Sequence, residues 1–532
     1  MRFKDLLIIL LISFLVSFNL FRQEFYKSSD GELHLARISA YTKALKASHF
    51  PVRWAKNLNF SYGYPIFNFV YPLPYLISSV FNIMGLNIFN SLKLVFFLSF
   101  LFSGIGMYLW LEKKFGVLAG LLAACLYILA PYRLVDVYVR AALGEVFAFI
   151  FPPFILYFWE KFNKKASRQN LFLTALFYNF LVLSHNVLAV IFSVFFGFYV
   201  LFFKNRKISY FKNFLPFITG LLFSCFFWLP ALVESKYTMV RSPLFGKDYH
   251  ENFLDFKDLI VPSWGYGVHG TSYQIGIVLL FIFLVFVIRL GKTKDKRLSF
   301  FIMLMFFLSI FFMLPYSDFL WRNIQILKDF QIPTRFLSLT IFIICIMAGL
   351  VVSTFNRHQK LLLWFLILLA LFLALTYAKP EKYLNLGKDF YKNYSKSTTW
   401  HQEATPVWVG SEADSFPEGP FGSPDKVTFL EFEKEYTHHY LKVKADEESL
   451  VIDNTLYFPG WKVHIDGQKV PIQFQDPRFR GLITFKVPAG VHEVEVFFGR
   501  SAIRLIAELI SLISFLTVIF FLFLSKIELR RK

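Results

Sequence analysis

The sequence predicts a mainly α fold, a polytopic transmembrane helical bundle of about 12–13 spans carrying a C-terminal extracytoplasmic β-sandwich. Three observations predict it. The 532 residues are 56% hydrophobic, 20% aromatic and only 17% charged, where a soluble chain carries about 25% charge. The apolar residues, most of the 71 Phe among them, gather into runs of about 15–22 residues, the length that crosses ~30 Å of hydrocarbon. Between residues 379 and 500 those runs give way to period-2 alternation.

The elements follow in order. The start, MRFK then LLIILLISFLVSF, resembles a signal peptide, but no small-residue cleavage site follows it, so it reads as an uncleaved first span. The spans fall at roughly 5–21, 91–111, 117–131, 145–160, 171–185, 187–203, 213–232, 273–290, 299–315, 336–354, 361–377 and 503–525. Residues 72–88 are apolar but broken by Pro72, Pro74 and Asn82. They read as a re-entrant or interfacial hairpin, with a thirteenth span as the alternative.

The net charge of +20 does not point to nucleic acid, because the basic residues sit in short loops between spans. They are Lys161, Lys164, Lys165 and Arg168; Lys204, Arg206 and Lys207; Arg289, Lys292, Lys294, Lys296 and Arg297; Arg357 and Lys360; and Arg530, Arg531 and Lys532. The positive-inside rule makes these the cytoplasmic face of a plasma-membrane protein, in contact with the lipid bilayer. Cys125, Cys225 and Cys345 all lie in apolar runs, which excludes a disulfide framework and a CxxC metal site.

The organisation is then a transmembrane domain over 1–378 with long outer loops at 22–71 and 233–272, a β-domain over 379–500, and a last helix with a basic tail over 501–532. In the first loop, Leu33, Ile38, Tyr41 and Leu45 have near-helical spacing, which fits an amphipathic helix over 31–49 at the membrane surface. The second loop is long enough to act as a lid, and it holds Glu234, Arg241, Asp248, His250, Glu251, Asp255, Asp258 and His269. In the β-domain, Asp466-Gly467 between short strands signals a hairpin.

The chemistry-bearing residues gather on one face. Asp30, Glu32 and His34 follow the first span; Arg133, Asp136, Arg140 and Glu145 follow another; His185 follows a third, and Gln331 and Arg335 precede a fourth. Ionisable groups at membrane depth are expensive, so their convergence indicates a site; four unrelated salt-bridged loops are the plainer explanation. Asp30 can activate a hydroxyl acceptor as general base, or simply cap a helix. Asp30 with Glu32 can also hold a divalent cation; no other cofactor is indicated. His34 shares a helical face with Asp30. Arg133, Asp136 and Arg140 at i, i+3 and i+7 share a face too, where an Asp136–Arg140 ion pair leaves Arg133 free to grip phosphate. Arg335 at a helix start opposes the macrodipole, a cost that a bound phosphate offsets. No Walker loop, GxSxG or HExxH stands in a fitting context.

The stretches PYRLVDVYVRAALGE at 131–145, LSHN at 183–186 and QIPTRFL at 331–337, with Asp30 before them, resemble bacterial YfhO-like membrane proteins. Some of those are labelled 6-pyruvoyl-tetrahydropterin synthase-related. YFPGWKVHIDGQKVP and RFRGLITFKVPAGVHEVEVFF are similar to the same group's outer domain, and the PGW-x-x-x-x-DG and PAG-x-H pair is the most specific part. The resemblance implies the GT-C glycosyltransferase class. It implies a polyprenyl-phosphate sugar donor and a glycan, lipid or protein acceptor outside the cytoplasmic membrane. It maps the class's acidic residue after the first span, a base or metal ligand, onto Asp30. On that reading His34, Asp136 and Glu145 assist catalysis, Arg133, Arg140 and Arg335 bind the donor phosphate, and Glu32, His185 and Gln331 orient substrate. Pterin-synthase chemistry needs three zinc-binding histidines, and no such cluster stands out. The rival readings are a transporter or flippase for lipid-linked or polymeric glycans, and a non-catalytic envelope assembly factor.

Overall fold

The computed structural model describes all residues except 206, 242–246, 268–269, 356–359, 388–389, 392–393, 400–401, 411–412 and 531–532. Arg206, His269, Arg357, Arg531 and Lys532 therefore lie outside the described residues, as do the side chains of Arg241, Asp248, Lys360 and Arg530.

Every expected span is helical, but the count of crossings is smaller. Among the described residues, six helices are long and apolar enough to cross a membrane, and up to nine if each bent pair is one span. Three expected spans are too short, Leu361–Tyr377 the least so. Arg168–Val182 has 15 residues and Ile277–Arg289 has 13, about 22 and 20 Å at 1.5 Å per residue. Other apolar runs are broken. Val117–Leu129 and Pro131–Arg140 meet at 44°, Tyr210–Phe223 and Cys225–Tyr237 at 69°, and Lys296–Phe311 and Pro315–Asn323 at 90°. Pro131 and Pro315 open the second halves of two pairs, where proline starts a helix well and continues one badly. Composition marks the runs; it does not mark the breaks. Leu73–Ile83, 11 residues long, is too short to cross, in keeping with a hairpin over 72–88.

The loop after the first span forms the expected helix, Gly31–Lys46, with Lys43 and Lys46 complementing the dipole at its C-terminus. It does not lie open on the surface. Leu35, Ile38, Tyr41 and Ala44 are buried, the helix packs on Leu73–Ile83 and Ile88–Phe115, and the Tyr436 hydroxyl reaches Ala40 O from the β-domain.

Among the described residues ten strands occur: β1 (Phe25–Tyr26), β2 (Tyr383–Leu384), β3 (Phe421–Gly422), β4 (Val427–Lys434), β5 (His438–Ala445), β6 (Ser449–Leu456), β7 (Trp461–Ile465), β8 (Gln468–Val470), β9 (Leu482–Val487) and β10 (Gly490–Phe498). A five-stranded sheet, β4-β5-β10-β7-β8, and a three-stranded one, β3-β6-β9, make the sandwich. The β7–β8 turn is Asp466-Gly467, both at positive φ (48° and 78°), the backbone a two-residue primed turn needs. Alternation set this core: Leu441, Val443, Val494 and Val496 are fully buried. Between the sheets, the Asp453 carboxylate bonds Lys434 Nζ at 2.9 Å and His439 Nδ1 at 2.5 Å.

The two parts are stitched together. β1 pairs with β2 across the end of the first span. Trp54, from the loop after Gly31–Lys46, packs 5.3 Å from both Trp461 and Phe498. The loop after Glu234 bonds the β-region through Met239 N to Thr405 O and Val240 N to Glu403 O. A buried clamp lies below. Arg53 donates to Asn68 Oδ1 (2.8 Å), Phe226 O (2.9 Å) and Glu508 Oε1 (3.0 Å). Asn68 donates to Glu234 Oε2 (2.8 Å), which also accepts from Arg504 Nε (3.0 Å). Arg504 Nη2 reaches Pro459 O in the β-domain (2.9 Å).

Candidate active site at one end of the helical bundle

Pro131 ends one helix and begins the next, and the chain then widens into a π-helical turn, Val135–Arg140. Such turns recur at functional sites. Ala141 follows in the left-handed region, φ 56°, and stops the turn. The last carbonyls of the turn are thereby turned outward to other partners. Val139 O accepts from Ser29 N–H at 3.0 Å and Arg140 O from Asp30 N–H at 2.8 Å. The main chain of Asp30 is thus docked onto the residue beside which its side chain was expected to work.

Within the turn, Arg140 Nη1 donates to Asp136 Oδ1 (2.7 Å), Glu145 Oε2 (3.1 Å) and Tyr132 OH (3.4 Å). Glu145 Oε1 accepts from Tyr132 OH (2.6 Å) and from Ser338 Oγ (3.0 Å) on the Phe336–Val352 helix. Asp136, Glu145 and Arg140 are all buried. A buried ion network of this kind costs desolvation that only close pairing offsets. Pairing is incomplete here: Asp136 Oδ2, Thr334 Oγ1 and Arg335 Nε are buried without a hydrogen-bond partner. Arg335 is half-buried. It donates through Nη1 to Phe330 O at 2.6 Å, and its charge lies within electrostatic reach of Glu145 and His185.

Asp30 stands at the N-cap position of Gly31–Lys46, but its side chain makes no cap hydrogen bond. It is half-buried, close enough to Tyr71 and Tyr75 to act on both electrostatically. Those rings stack 5.8 Å apart, and Tyr71 stacks on His185 at 5.4 Å. The fit needs Gly144, where a Cβ would fall 2.2 Å from the Tyr71 ring. His34 Nδ1 meets the Tyr75 hydroxyl at 2.7 Å. Burial, reinforced by Arg37 and Arg140, lowers His34 well below the ordinary histidine range, so it is neutral. His185 commits Nδ1 to capping its own helix, accepting from Leu188 N–H at 3.2 Å.

Asp30, His34, Asp136, Arg140, Glu145, His185 and Arg335 therefore converge. Three expected residues do not join them. Arg133 is not free for phosphate: it is 1% exposed, bonded to Ser103 Oγ (2.6 Å), Ser99 Oγ (3.1 Å) and Tyr127 O (3.2 Å). The Phe100, Tyr127 and Phe149 rings surround it at 4.8–5.2 Å. The π turn breaks the i, i+3, i+7 face that grouped it with Arg140. Glu32 lies instead near Tyr394. Gln331 adopts φ 59° and its main chain bonds Lys328 O and the Asn252 side chain. Among the described residues no three His, Cys, Asp or Glu side chains group to hold a metal ion, so Asp30 and Glu32 gain no third ligand from them. Nor do the described residues contain the three-histidine zinc site that pterin synthesis requires.

The residues missed from sequence are Tyr71, Tyr75, Tyr132, Ser338 and Arg37. Arg37 bonds Tyr75 OH at 3.1 Å and Thr398 Oγ1 at 3.0 Å, tying the site to the β-region. Tyr71 stands in the Pro-rich aromatic stretch SYGYPIFNFVYPLP at 61–74, where aromatic residues read equally as interfacial anchors.

Residues 67–381 match a family described as 6-pyruvoyl-tetrahydropterin synthase related domain, membrane protein. The matched stretch includes Arg140, Glu145, His185 and Arg335; the PGW and PAG motifs lie beyond it. An uncharacterized protein of Lactococcus lactis subsp. cremoris (strain MG1363) is 26% identical over 318 residues, 56% of this chain and 51% of that one. This chain thus spans about half the length of that relative. Among solved structures, the cryo-EM structure of arabinofuranosyltransferase AftD from Mycobacteria aligns over 71% of this chain and 27% of its own. The identity there is 16% and the TM-score 0.47. The Archaeoglobus fulgidus oligosaccharyltransferase, in complex with Zn and sulfate, aligns over 72% and 54%, with 14% identity and a TM-score of 0.36.

Proposed function

The chain belongs to the 6-pyruvoyl-tetrahydropterin synthase related family of membrane proteins, and we propose that it is a glycosyltransferase rather than a pterin enzyme. It moves a sugar from a polyprenyl-phosphate donor to a hydroxyl of a cell-envelope glycan, lipid or protein outside the cytoplasmic membrane. One observation carries the reading: a half-buried carboxylate, Asp30, is anchored through its own N–H to the carbonyl of Arg140. Arg140 belongs to a buried charge cluster with unmet hydrogen-bonding capacity.

In this mechanism Asp30 takes the proton of the acceptor hydroxyl. The oxygen forms a bond to the anomeric carbon as the bond from that carbon to the phosphate oxygen breaks, and the polyprenyl phosphate leaves with the electron pair. Arg335 contacts the leaving phosphate, and Arg140 adds its fixed field. Cations aimed in advance at the leaving group stabilise negative charge as it develops there, and in many enzymes this supplies most of the rate enhancement. Neutral His34 and stacked Tyr71 and Tyr75 shape the cleft beside Asp30.

A second reading has its own support. The bend of 44° between Val117–Leu129 and Pro131–Arg140 lies at the cluster, and broken helices at a polar site are also how transporters are built. One experiment separates them. The full chain is reconstituted in proteoliposomes with a panel of polyprenyl-phosphate sugars, and products are read by mass spectrometry. The enzyme reading expects a glycosylated acceptor and free polyprenyl phosphate. Movement of intact lipid-linked sugar across the bilayer with no bond cleaved supports the transporter instead. Orientation is tested by reporter fusions: after Lys165, Lys207 and Lys294 they report cytoplasm, and within 379–500 the outside. A cytoplasmic β-domain sinks both readings of the site.

A further inference from the structure

A second site lies at the other end of the bundle. The Phe336–Val352 helix begins next to Arg335 and ends 17 residues later, about 26 Å away at 1.5 Å per residue. It belongs to a span that is long and apolar enough to cross the membrane, so its far end reaches the headgroup level of the opposite leaflet. An open cavity of about 670 Å³ lies there, lined by Lys114, Phe115, Lys294, Asp295, Lys296, Arg297 and Ser353. Three separate elements supply these residues: the C-terminus of Ile88–Phe115, the loop into Lys296–Phe311, and the end of Phe336–Val352.

Four cations thus face one carboxylate, and that carboxylate is occupied. Asp295 Oδ1 caps its helix, accepting from Leu298 N–H at 2.9 Å. Two of the cations are occupied as well. Lys114 pairs with Glu160 at 2.8 Å, and Lys296 donates to Leu290 O at 3.0 Å and to Gly291 O. Among the described residues, no ion pair reaches Lys294 or Arg297. Lys294 is exposed, and Arg297 lies 5.6 Å from the Phe203 ring. A net-positive cavity at headgroup depth, lined in part by Phe115 and by two cations that no ion pair reaches among the described residues, suits a phosphate diester attached to acyl chains.

We propose that this cavity binds the headgroup of an anionic phospholipid from the leaflet opposite the candidate active site. The charge is complementary, and the depth is that of a lipid phosphate.

The test uses the full chain in nanodiscs of phosphatidylcholine or of phosphatidylglycerol, with retained lipid counted by native mass spectrometry. Phosphatidylglycerol should be retained over phosphatidylcholine. The double variant Lys294→Gln/Arg297→Gln should weaken that retention by about 25-fold, roughly fivefold for each charge removed. Lys164→Gln/Lys165→Gln removes as much charge from another exposed basic loop, and should leave it unchanged. Equal losses in both variants would reduce the effect to unspecific surface charge and overturn the proposal. So would full retention by the first variant. Inorganic phosphate that displaces nothing supports a lipid ligand; inorganic phosphate that occupies the cavity while phosphatidylglycerol does not overturns it.

Discussion

Two buried charge networks in this molecule are built from the same residue types and end differently. In the clamp beneath the β-domain, both Glu234 oxygens are bonded, to Ser501 on one side and to Asn68 and Arg504 on the other. Glu508 likewise pairs both oxygens, with Arg53 and Arg500. Its one orphan donor, Arg504 Nη1, sits in a guanidinium packed on Phe458 and Phe498. In the Arg140 cluster, by contrast, Asp136 Oδ2, Thr334 Oγ1 and Arg335 Nε are buried and unmatched, beside a half-buried carboxylate. A network closed on its own protein serves stability. One left open keeps capacity for something else to bind.

The largest expected effect breaks the comparison on the open side. Asp30→Asn keeps size, and the Asp30 side chain makes no cap hydrogen bond that could be lost, so the protein should insert and melt normally. Sugar transfer should fall by roughly 10²–10⁴-fold. Near-normal transfer by the well-expressed variant would move the base to Asp136 or Glu145, or end the enzyme reading. On the closed side, Glu234→Ala strands Arg504 and Asn68. Losing one member of a buried pair costs about 3–5 kcal/mol. The outcome to look for is a lower melting temperature and faster proteolysis between the β-domain and the last helix, with residual activity tracking the folded fraction.

Smaller effects sharpen the contrast. Arg335→Lys keeps the charge and loses the planar fork. It should raise KM for the lipid donor about tenfold, the scale of one charged hydrogen bond, with an unchanged melting temperature. A fall in melting temperature with unchanged KM would make Arg335 structural.

The smallest effect is a pH slope at the clamp. Burial, with Arg53 and Arg504 nearby, pulls His49 down to about 4. The unfolded chain protonates it near 6.5, so between about pH 6.5 and 4 the unfolded state binds the extra proton and stability falls as pH falls. His49→Gln should flatten that part of the melting-temperature profile; an unchanged slope would assign it to other groups. In the β-sandwich, burial alone would raise Asp453. Lys434 and His439 outweigh it and hold the carboxyl well below the usual range. That contribution is present above about pH 4 and is lost only in stronger acid.

Local rules carried far along this chain. Apolar runs located the long helices of the bundle, and alternation located β4, β5 and β10. Asp466-Gly467 located the β7–β8 hairpin, because a two-residue primed turn demands residues that tolerate positive φ. Charges at the ends of spans pointed to Asp30, Arg140, Glu145, His185 and Arg335, since a buried charge in lipid needs a reason. The same rule applied to Glu508, an acid inside the last apolar run, would have exposed the clamp.

Other features depended on contacts between segments far apart in sequence, and these only the tertiary structure decided. The π turn at Val135–Arg140 broke the helical face that Arg133 was expected to share with Arg140 and turned two carbonyls toward Ser29 and Asp30; no spacing rule encodes which helical ladder a short segment adopts. Tyr71 reaches His185 only because Gly144, seventy-odd residues later, leaves room for its ring. Sequence by itself determined which residues must be buried in lipid and which charges need partners, because those costs belong to each residue alone. Which partner each charge found, and which polar atoms were left unmatched, depended on how the bent helices pack, because pairing is a property of positions in space.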